Sequence, residues 1–489
     1  MNIAQTTQDT LGLMKESLAK NVTISTGLSA YDLQAPAKNL FPIVTPLRNS
    51  LPRVVRLNPG DAARWRTITS LMGSGFDAMG WVPEGQRSAS MSYAANFVSA
   101  PYLTLGEEDT VTFEAEAAAQ GYEDINATAT LRLLQKTMRK EEMALLGGNA
   151  SLQLGTPATP ALSASGSGAT LPTGTYSVIV VALSFEGYLN SSVAGGVVTT
   201  KTITGNDGNT YTLSGGSSKR SANATQAVTL GQTLNATVSS IKGAVAYAWY
   251  VGSAGSETLQ AITTINSTTF SAALTPGQQP ASAITTDNSS NAIAFDGLLT
   301  VGFNPAYNAY VQTLATGTAG TGTFLTASGR GSIVEIDNML LQMWNAYRLS
   351  PTVIYVNAQE QNNITAKCLT NSSGPLVRYT VDTSQDKPYE FAASGVVRWY
   401  YNPMTGVEIP INVHPDLPPG TLLAFCEKLP VWYQSNETPN VAEVLTRRDY
   451  YRVDWPLRTR RREYGVYTEQ TLAVYAPFGV GIITNIGNG

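Results

Sequence analysis

A long amphipathic segment from Gly121 to Gly148 constrains the fold of this chain more than any other part of the sequence. Its apolar residues recur at steps of three, four and seven, which places them on one stripe of a helix: Ala127, Leu131, Leu134, Met138 and Leu145. Gly147 and Gly148 supply a left-handed C-terminal stop. Charged residues such as Arg139 and Glu142 fall on the opposite face, as on a solvated helix surface. The sequence therefore predicts a long, half-buried helix.

The segments before this helix contain two strand-like runs, Ala62–Thr69 and Ser92–Gly106. A glycine-rich stretch with the sequence WVPEG, which begins at Trp81, joins them. A short acidic segment, Thr112–Asp124, then leads into the long helix. In this order the segments resemble the extended loop and spine helix of the major capsid proteins of tailed double-stranded DNA phages.

A second block of the sequence continues the resemblance after a long interruption. Ser332–Ile364 has the pattern of a helix, a strand and a further helix, and Ser332 with Glu335 forms a capping-box pattern at its start. Gly406–Cys426 is similar to a strand pair of the family's axial domain, and Thr471–Ile486 to the strand that returns to the core. The order and spacing of these segments, more than any single motif, carry the resemblance.

The resemblance implies an α+β protein with the phage major capsid fold. It places an N-terminal arm over residues 1–60, an extended β loop over 61–106, and the spine-helix region of a peripheral domain over 107–150. The axial domain and the remainder of the peripheral domain occupy 295–489. By the same resemblance, the chain is a structural protein that assembles as pentamers and hexamers into an icosahedral phage head around double-stranded DNA. Its location is then the virion, with assembly in the host cytoplasm.

Residues 156–277 differ from both blocks because they are low in charge and consist of short alternating segments. One predicted strand ends in a Phe-Glu-Gly turn and places four residues on one face: Tyr176, Val178, Val180 and Ala182. Ala244–Leu274 predicts three more strands at the spacing of a β-sandwich. The region resembles an inserted fibronectin type III or immunoglobulin-like module, which the resemblance places outside the shell. Pro157–Pro172 and Thr275–Asn291 are then its entry and exit linkers.

Aromatic residues of the inserted region allow two interpretations. Tyr188, Trp249 and Tyr250 could offer stacking faces to a glycan, whereas aromatic residues along strands are more often core or cross-strand partners. The corresponding alternative function is a surface or tail-associated glycan-binding adhesin built on the β-sandwich. A third interpretation, a glycan-cleaving enzyme, requires an exposed carboxylate pair in a cleft.

Charge and cysteine content limit the classes of function. Charged residues make up 13% of the chain and the net charge is −4, which argues against a dedicated nucleic-acid binder and leaves non-specific contact with packaged DNA. The N-terminus lacks the features of a signal peptide, and no run of about eighteen apolar residues predicts a membrane span. Cys368 and Cys426 are expected to be free, packed thiols, as suits a reducing compartment.

The residue inventory offers no catalytic, cofactor or metal site. His414 is the single histidine, so a two-histidine zinc site lacks its second ligand, and its proline-rich context predicts a turn or strand end. The glycine-rich runs lack the Lys-Ser/Thr pair of a phosphate-binding loop. The adjacent carboxylates of Glu141 and Glu142 are predicted to lie on a charged helix surface. We therefore expect no enzyme activity and no cofactor.

Two groups of residues are candidates for intersubunit contacts. The first comprises an aromatic anchor and polar residues of the loop: Trp81, Glu84, Arg64 and Arg66. The second is a basic cluster: Arg458, Arg460, Arg461 and Arg462. We expect this cluster to pair with a neighbouring subunit's carboxylates between Glu107 and Glu116, with DNA phosphates as the alternative partner.

Two further expectations concern assembly. The loop from Asp61 to Gly106 contains no lysine, so we expect a shell without the covalent lysine–asparagine link that some members of the family form there. The capsid-like pattern starts by about Phe41, which leaves too little chain before it for the cleavable scaffold segment of other members. A separate scaffolding protein and a portal are therefore the expected partners.

Overall fold

The computed structural model describes residues 44–56, 60–70, 81–87, 94–120, 124–205, 208–328, 331–370, 396–430 and 440–487 of the 489-residue chain. Most of the predicted N-terminal arm therefore lies outside the described residues. The chain forms two compact units. The described part of the smaller unit comprises Glu107–Lys136 and Arg452–Val466. The larger unit comprises Val44–Gly106, Thr137–Tyr451 and Tyr467–Gly489.

The protein is a mixture of helices and strands, as predicted. The α-helices of the described residues are α1 (Pro46–Ser50), α2 (Phe113–Ala119), α3 (Ile125–Gly147), α4 (Phe185–Asn190), α5 (Leu298–Phe303), α6 (Val334–Tyr347) and α7 (Ala358–Thr370). The strands are β1 (Arg53–Val55), β2 (Ala62–Ser70), β3 (Ala94–Pro101), β4 (Leu103–Thr112), β5 (Ala161–Ala169), β6 (Gly174–Leu183), β7 (Thr200–Thr204), β8 (Thr210–Ser214), β9 (Ala224–Val228), β10 (Gly231–Thr237), β11 (Ala246–Gly252), β12 (Thr258–Thr263), β13 (Ser267–Phe270), β14 (Tyr310–Thr313), β15 (Val353–Val356), β16 (Trp399–Tyr401), β17 (Glu408–Val413), β18 (Leu422–Phe425), β19 (Ala442–Asp454), β20 (Arg461–Val474) and β21 (Val480–Thr484).

The long helix α3 is confirmed, but it buries a different face from the predicted one. Asp124 caps its N-terminus, because its Oδ1 accepts the backbone N–H groups of Asn126 and Ala127 at 3.1 Å each. Buried residues recur every four positions: Leu133, Thr137, Glu141 and Leu145. Leu131, which the prediction placed on the apolar stripe, is 55% exposed. The stripe was misplaced because this buried face includes polar side chains, which a hydrophobicity pattern assigns to solvent.

The larger unit contains a six-stranded mixed sheet in the order β14-β21-β18-β15-β17-β16. β14 with β21 and β15 with β17 are parallel pairs. Successive residues of β15 enter different clusters, since Tyr355 packs with Leu423 on one side and Ile354 with Leu340 on the other. Both faces of this strand are therefore buried, which explains why its sequence is a continuous apolar run.

The start of α6 differs from the predicted capping box. Its N-cap is Ile333, which makes no side-chain cap hydrogen bond. Ser332 Oγ instead donates to Asp337 Oδ2 at 2.6 Å, and Glu335 Oε2 accepts the N–H of Thr326 at 2.9 Å. The two predicted capping residues therefore fasten the chain around the helix start without closing a reciprocal box.

Two antiparallel sheets occupy the region that the sequence marked as inserted. One has the order β12-β11-β6-β9 and the other β13-β10-β5. Both contribute to one hydrophobic cluster, which includes Trp249 from β11 and Leu234 from β10. The four residues predicted for one face of β6 belong to the same cluster: Tyr176, Val178, Val180 and Ala182. The predicted alternation of this strand is therefore confirmed.

Three local predictions for this region were wrong. The expected entry linker contains β5, which pairs with β10 from Ala161↔Thr237 onward. The expected Phe-Glu-Gly turn is the helix α4, where Ser184 Oγ accepts the N–H of Gly187 at 3.3 Å. The expected exit linker is packed, because Gln279 exchanges side-chain hydrogen bonds with the backbone of Val197. Small polar residues make these segments look like linkers, although tertiary partners give them fixed structure.

Buried asparagines fix the inserted sheets to the chain around β21. Asn485 Oδ1 accepts the N–H of Asn266 at 2.9 Å, and Asn485 Nδ2 donates to Leu314 O at 2.8 Å. Asn266 Nδ2 donates to Val238 O at 2.7 Å and to Thr316 Oγ1 at 2.9 Å. Asn485 has a φ of 63°, in the left-handed region that asparagine tolerates better than most residues.

Cys368 and Cys426 are free and buried, as predicted. Burial raises the pKa of Cys368 to about 11 and that of Cys426 to about 12. Both thiols therefore remain protonated near neutral pH, and neither is a reactive thiolate.

Candidate functional site

The β2–β3 ribbon is the candidate functional site. The two strands pair antiparallel from Ala62↔Pro101 to Ser70↔Ala94, and within the described residues neither joins a larger sheet. At about 3.3 Å per residue, the nine residues of β2 extend the ribbon by roughly 30 Å. The two predicted loop strands are confirmed as a pair, although the second predicted run is divided into β3 and β4.

The base of the ribbon is held firmly to the larger unit. Trp65 Nε1 donates to Val474 O at 3.1 Å, and the indole meets the Tyr475 ring edge-on at 6.4 Å between centroids. Ala63 and Tyr102 are buried in a small cluster with Leu445 and Ala473. Apolar packing and an indole hydrogen bond therefore fix the direction in which the ribbon leaves the body.

Beyond its base, the ribbon exposes cationic and aromatic side chains. Arg66 lies opposite Phe97, and its guanidinium carbon is 5.3 Å from the centroid of that ring, which is 83% exposed. Arg64 is also exposed, opposite Ser99. The combination of arginine and exposed aromatic rings is the composition of an interface core.

The described part of the loop tip is a tight turn with an exposed indole. Gln86 N–H donates to Pro83 O at 3.1 Å, and Gly85 takes a φ of 76°, which favours glycine. Glu84 is exposed within this turn. Trp81 is 91% exposed. The structure therefore leaves all four predicted loop residues accessible: Trp81, Glu84, Arg64 and Arg66.

Three arginines of the basic cluster form ion pairs within the chain, and their predicted pairing with a neighbouring subunit stays a prediction. Arg460 lies 2.9 Å from Glu114, and Arg462 lies 3.1 Å from Glu116. Arg461 is not free either, since it lies 2.6 Å from Glu463. A further predicted acceptor, Glu107, pairs with Lys136 at 2.5 Å. Arg458 is exposed. Glu114 and Glu116, two of the carboxylates predicted as partners of this cluster, are thus partners within the same chain.

Glu141 and Glu142 on α3 are buried, so the predicted charged helix surface is wrong at both positions. Glu141 accepts hydrogen bonds from Arg48 Nε at 2.7 Å, from Arg53 and from the Tyr450 hydroxyl. Two cations and a phenol thus surround one carboxylate, which offsets the cost of burying its charge.

Glu142 holds the short helix α1 and the single histidine. Its carboxylate accepts the backbone N–H groups of Leu47 at 2.8 Å and Arg48 at 2.6 Å. These N–H groups lie in the first turn of α1, where they have no acceptor within the helix. His414 Nε2 lies 2.8 Å from Glu142 Oε1, and the ring is fully buried. The position of Glu141 on the same four-residue stripe as Leu145 was the available signal for this network, and it was missed because the residue is charged.

The buried carboxylate of Glu141 fixes the protonation of its neighbours. Burial alone lowers the pKa of Arg53, but the charges of Glu141 and Asp449 and the hydrogen bonds to them together outweigh it and raise the pKa above its usual value. Burial, followed by the charge of Glu141, raises the pKa of Tyr450. Both groups therefore stay protonated as donors, and the network is a structural clamp between the chain around α1 and helix α3.

The aromatic residues proposed for glycan stacking are largely inaccessible. Trp249 and Tyr250 are both 0% exposed. The indole N–H of Trp249 donates to Thr263 Oγ1 at 2.8 Å, and the Tyr250 hydroxyl donates to Gln279 Oε1 at 2.9 Å. Tyr188 is half-buried. The surface-binding prediction is therefore wrong for Trp249 and Tyr250, because β11 is covered on both faces.

In the described part of the chain, no group of three or more His, Cys, Asp and Glu side chains is placed to hold a metal ion. None of the helices in this part combines the length and the hydropathy needed to cross a membrane.

Comparisons with known proteins give similarities among solved structures. No protein-family model and no curated protein matches the sequence. The capsid asymmetric unit of cyanophage A-1(L) is similar with 11% identity and a TM-score of 0.46, covering 95% of this chain and 99% of that one. The capsid of the native GTA particle is similar with 8% identity and a TM-score of 0.41, covering 95% and 98%. The holo-SrpI encapsulin complex from Synechococcus elongatus PCC 7942 is similar with 9% identity and a TM-score of 0.39, covering 94% and 95%. Since these TM-scores lie below 0.5, the function proposed for this chain rests on its own geometry.

Proposed function

We propose that this chain is the major capsid protein of a tailed double-stranded DNA phage, a structural protein whose copies assemble into an icosahedral head. The observation that carries the proposal is the β2–β3 ribbon, which is anchored at its base and, among the described residues, pairs with no third strand. The order of ribbon, α2 and α3, followed by α6, β15 and α7, supports it, because this is the order expected from the sequence resemblance.

The stability of a two-stranded ribbon depends on what covers it. Two strands without a third strand or a covering helix are marginally stable in water. Trp65 and Tyr102 pack the base of this ribbon against Leu445, Ala473 and Tyr475, whereas Phe97 and Trp81 remain 83% and 91% exposed. A neighbouring subunit that covers the outer part would bury these rings and stabilise both the ribbon and the assembly.

The geometry of the contact favours closed assemblies. In the arrangement that we propose, the ribbon contacts a different surface of the next copy. Heterologous contacts of this kind generate rings when the rotation closes. Rings of five and six copies, which combine into an icosahedral shell, are the form that we propose.

The inserted sheets are proposed to be a fibronectin type III or immunoglobulin-like domain that faces outward from the shell. Their two-sheet organisation around one cluster supports this assignment. The further proposed partners are a separate scaffolding protein, a portal and packaged DNA in non-specific contact. The proposed location is the virion, after assembly in the host cytoplasm. Burial of Trp249 and Tyr250 removes two of the three stacking faces on which the glycan-binding adhesin depended.

The test is negative-stain electron microscopy with light scattering on the purified protein. The protein is expressed alone and together with the neighbouring reading frames of its source, which supply a scaffolding partner. Rings, closed shells or malformed shells are the expected result. A monodisperse monomer or trimer under both conditions would contradict the proposal and would make glycan-array binding the next experiment.

A further inference from the structure

An apolar groove lies beside the base of the β2–β3 ribbon. Its volume is about 240 Å³. The walls come from the ribbon and from the chain around α5: Trp65, Val98, Phe295, Val301 and Tyr307. Asp296 forms a polar side of the groove, where its Oδ1 accepts the N–H groups of Ala150 at 2.7 Å and Ser151 at 3.0 Å. The groove thus combines a mainly apolar wall with a carboxylate and a phenol.

The size of this groove fits an indole. An apolar cavity of roughly 150 Å³ holds a benzene ring. Indole has nine ring atoms where benzene has six, and scaling the volume by ring atoms gives roughly 225 Å³. This value is close to the 240 Å³ of the groove. The oxygen atoms of Asp296 and Tyr307 also match the chemistry of indole, whose one polar group is an N–H donor.

The chain itself presents an indole that has no cover. Trp81 is 91% exposed, the largest exposed fraction among the large apolar side chains of the described residues. Its burial would remove roughly 200 Å² from water, a quarter of the area that each partner contributes to a standard interface. Such an aromatic side chain in a fitting pocket is the usual form of an interface anchor.

We propose that the groove of one subunit receives the Trp81 side chain of a second copy of the chain. The inference rests on the proposed shell function and specifies the surface that the loop covers. Each subunit then gives one anchor, Trp81, and receives one in the groove beside the base of its ribbon. This head-to-tail arrangement propagates from copy to copy, as ring formation requires.

Disulfide trapping tests the occupant of the groove. A double variant, Trp81→Cys with Ser151→Cys, places one thiol at the anchor and one at the groove. Oxidised assemblies should run as a ladder of covalent multimers on a non-reducing denaturing gel. The single variants and the pair Trp81→Cys with Thr202→Cys, whose second position is exposed on β7, serve as controls. Cys368 and Cys426 contribute little background because both are buried.

Two outcomes of this trapping would overturn the inference. A disulfide that forms without any multimer shows that the tryptophan position reaches the groove of its own chain. Equal ladders from the variant with Ser151→Cys and the variant with Thr202→Cys show that the disulfide forms without specific binding in the groove. The ladder from the groove pair alone supports the second copy as the occupant.

A filled groove provides an independent test. Ala294 lines the groove and Ala292 is exposed outside it, so Ala294→Trp and Ala292→Trp form a matched pair. We expect Ala294→Trp and Trp81→Ala each to lower the yield of assemblies at least tenfold, Trp81→Phe to lower it less, and Ala292→Trp to leave it unchanged. Circular dichroism and thermal melting of the subunits check folding.

The results separate this inference from the proposed function. If Trp81→Ala prevents assembly while Ala294→Trp assembles normally, the tryptophan docks elsewhere and the groove assignment is wrong, although shell formation stands. If the wild-type chain never assembles, both the proposed function and the inference are wrong.

Discussion

The imidazole Nε2 of His414 lies 2.8 Å from the carboxylate Oε1 of Glu142, although 272 positions separate the two residues in the chain. His414 Nδ1 accepts the N–H of Asp416 at 3.2 Å, so the ring proton belongs on Nε2 and is donated to the carboxylate. Leu47 and Arg48 donate their backbone N–H groups to the same carboxylate. One buried side chain of α3 thereby joins two distant parts of the larger unit.

Two substitutions of Glu142 should show how much of its contribution to stability comes from its hydrogen-bond acceptor oxygens and how much from the packing of its side chain. We expect Glu142→Ala to lower the free energy of unfolding by at least about 3 kcal/mol, because several hydrogen bonds to a charged group are lost and buried donors remain unsatisfied. Glu142→Gln retains one acceptor oxygen and should cost about 1–2 kcal/mol. Chemical denaturation of the isolated subunits measures both. Equal losses for the two variants would contradict the assigned role of the carboxylate.

The clamp around Glu141 predicts a contrast between buried and exposed ion pairs. Glu141 is fully buried between Arg48 and Arg53, whereas Glu114 and Arg460 are 62% and 80% exposed. We expect Glu141→Ala to destabilise the subunit by about 3–5 kcal/mol, since two cations lose their shared partner. Glu114→Ala should change stability by less than about 1 kcal/mol, because exposed pairs are screened by solvent.

Denaturation of the two variants under the same conditions provides the measurement. A Glu114→Ala variant as unstable as Glu141→Ala would show that the exposed cluster contributes more than solvent screening permits. The contrast should also persist at high salt, since ions reach the exposed pair and not the buried one.

The sequence predicted elements better than it predicted contacts. The strands β2 and β3, helix α3 and the succession of α6, β15 and α7 were predicted from local patterns together with the family resemblance, and the structure has them. The buried role of Glu142 does not follow, because its partners lie 94, 95 and 272 positions away. A period identifies a face of a helix, but only the tertiary fold decides whether a carboxylate on that face meets water or three donors.

The same limit explains the errors in the inserted region and the ion pairs of the basic cluster. The small polar residues of β5 form a strand because β10 supplies the hydrogen bonds. Arg462 and Glu116 are 346 positions apart, so their pairing within one chain depends on the fold of the smaller unit. The exposed Trp81 was the opposite case, since its glycine-rich context already indicated a loop, and the structure leaves it uncovered.

Glu186 should make the stability of the larger unit depend on pH. Burial raises its pKa from 4.5 to about 7. The folded state therefore binds this proton more tightly than the unfolded state, and the stabilisation present below about pH 4.5 is lost as the pH rises to about 7. A pKa difference of this size changes the free energy of unfolding by at most about 3 kcal/mol. Glu186→Gln keeps the side chain neutral at every pH.

We expect Glu186→Gln to match the wild type in melting temperature near pH 5 and to exceed it at pH 8. Glu84→Gln, at an exposed position of the loop, is the matched control and should show no such change between the two pH values. Thermal melts of all three proteins at both pH values measure the effect. A difference between Glu186→Gln and the wild type that is the same at pH 5 and pH 8 would rule out the titration of Glu186 as its cause.

Substitution of Asn485 tests how firmly the inserted sheets are attached to the rest of the larger unit. Asn485→Ala removes the acceptor for the Asn266 N–H and places alanine at a φ of 63°. We expect a loss of about 3 kcal/mol, of which about 1 kcal/mol comes from the left-handed backbone and the rest from unsatisfied buried groups. Asn485→Gly loses the same hydrogen bonds without the backbone strain, so it should be more stable than Asn485→Ala.

Hydrogen exchange locates this effect. In the wild type, the backbone N–H of Asn266 donates to the side chain of Asn485, 219 positions away. This hydrogen bond should slow the exchange of the Asn266 amide. In both Asn485 variants this amide should exchange faster, while amides at the centre of β6 keep their protection because their ladder with β11 is unchanged. Unaltered exchange at Asn266 would mean that the asparagine pair does not hold the inserted sheets in place. Faster exchange throughout β6 and β11 would mean that the pair stabilises the inserted sheets themselves, beyond their attachment.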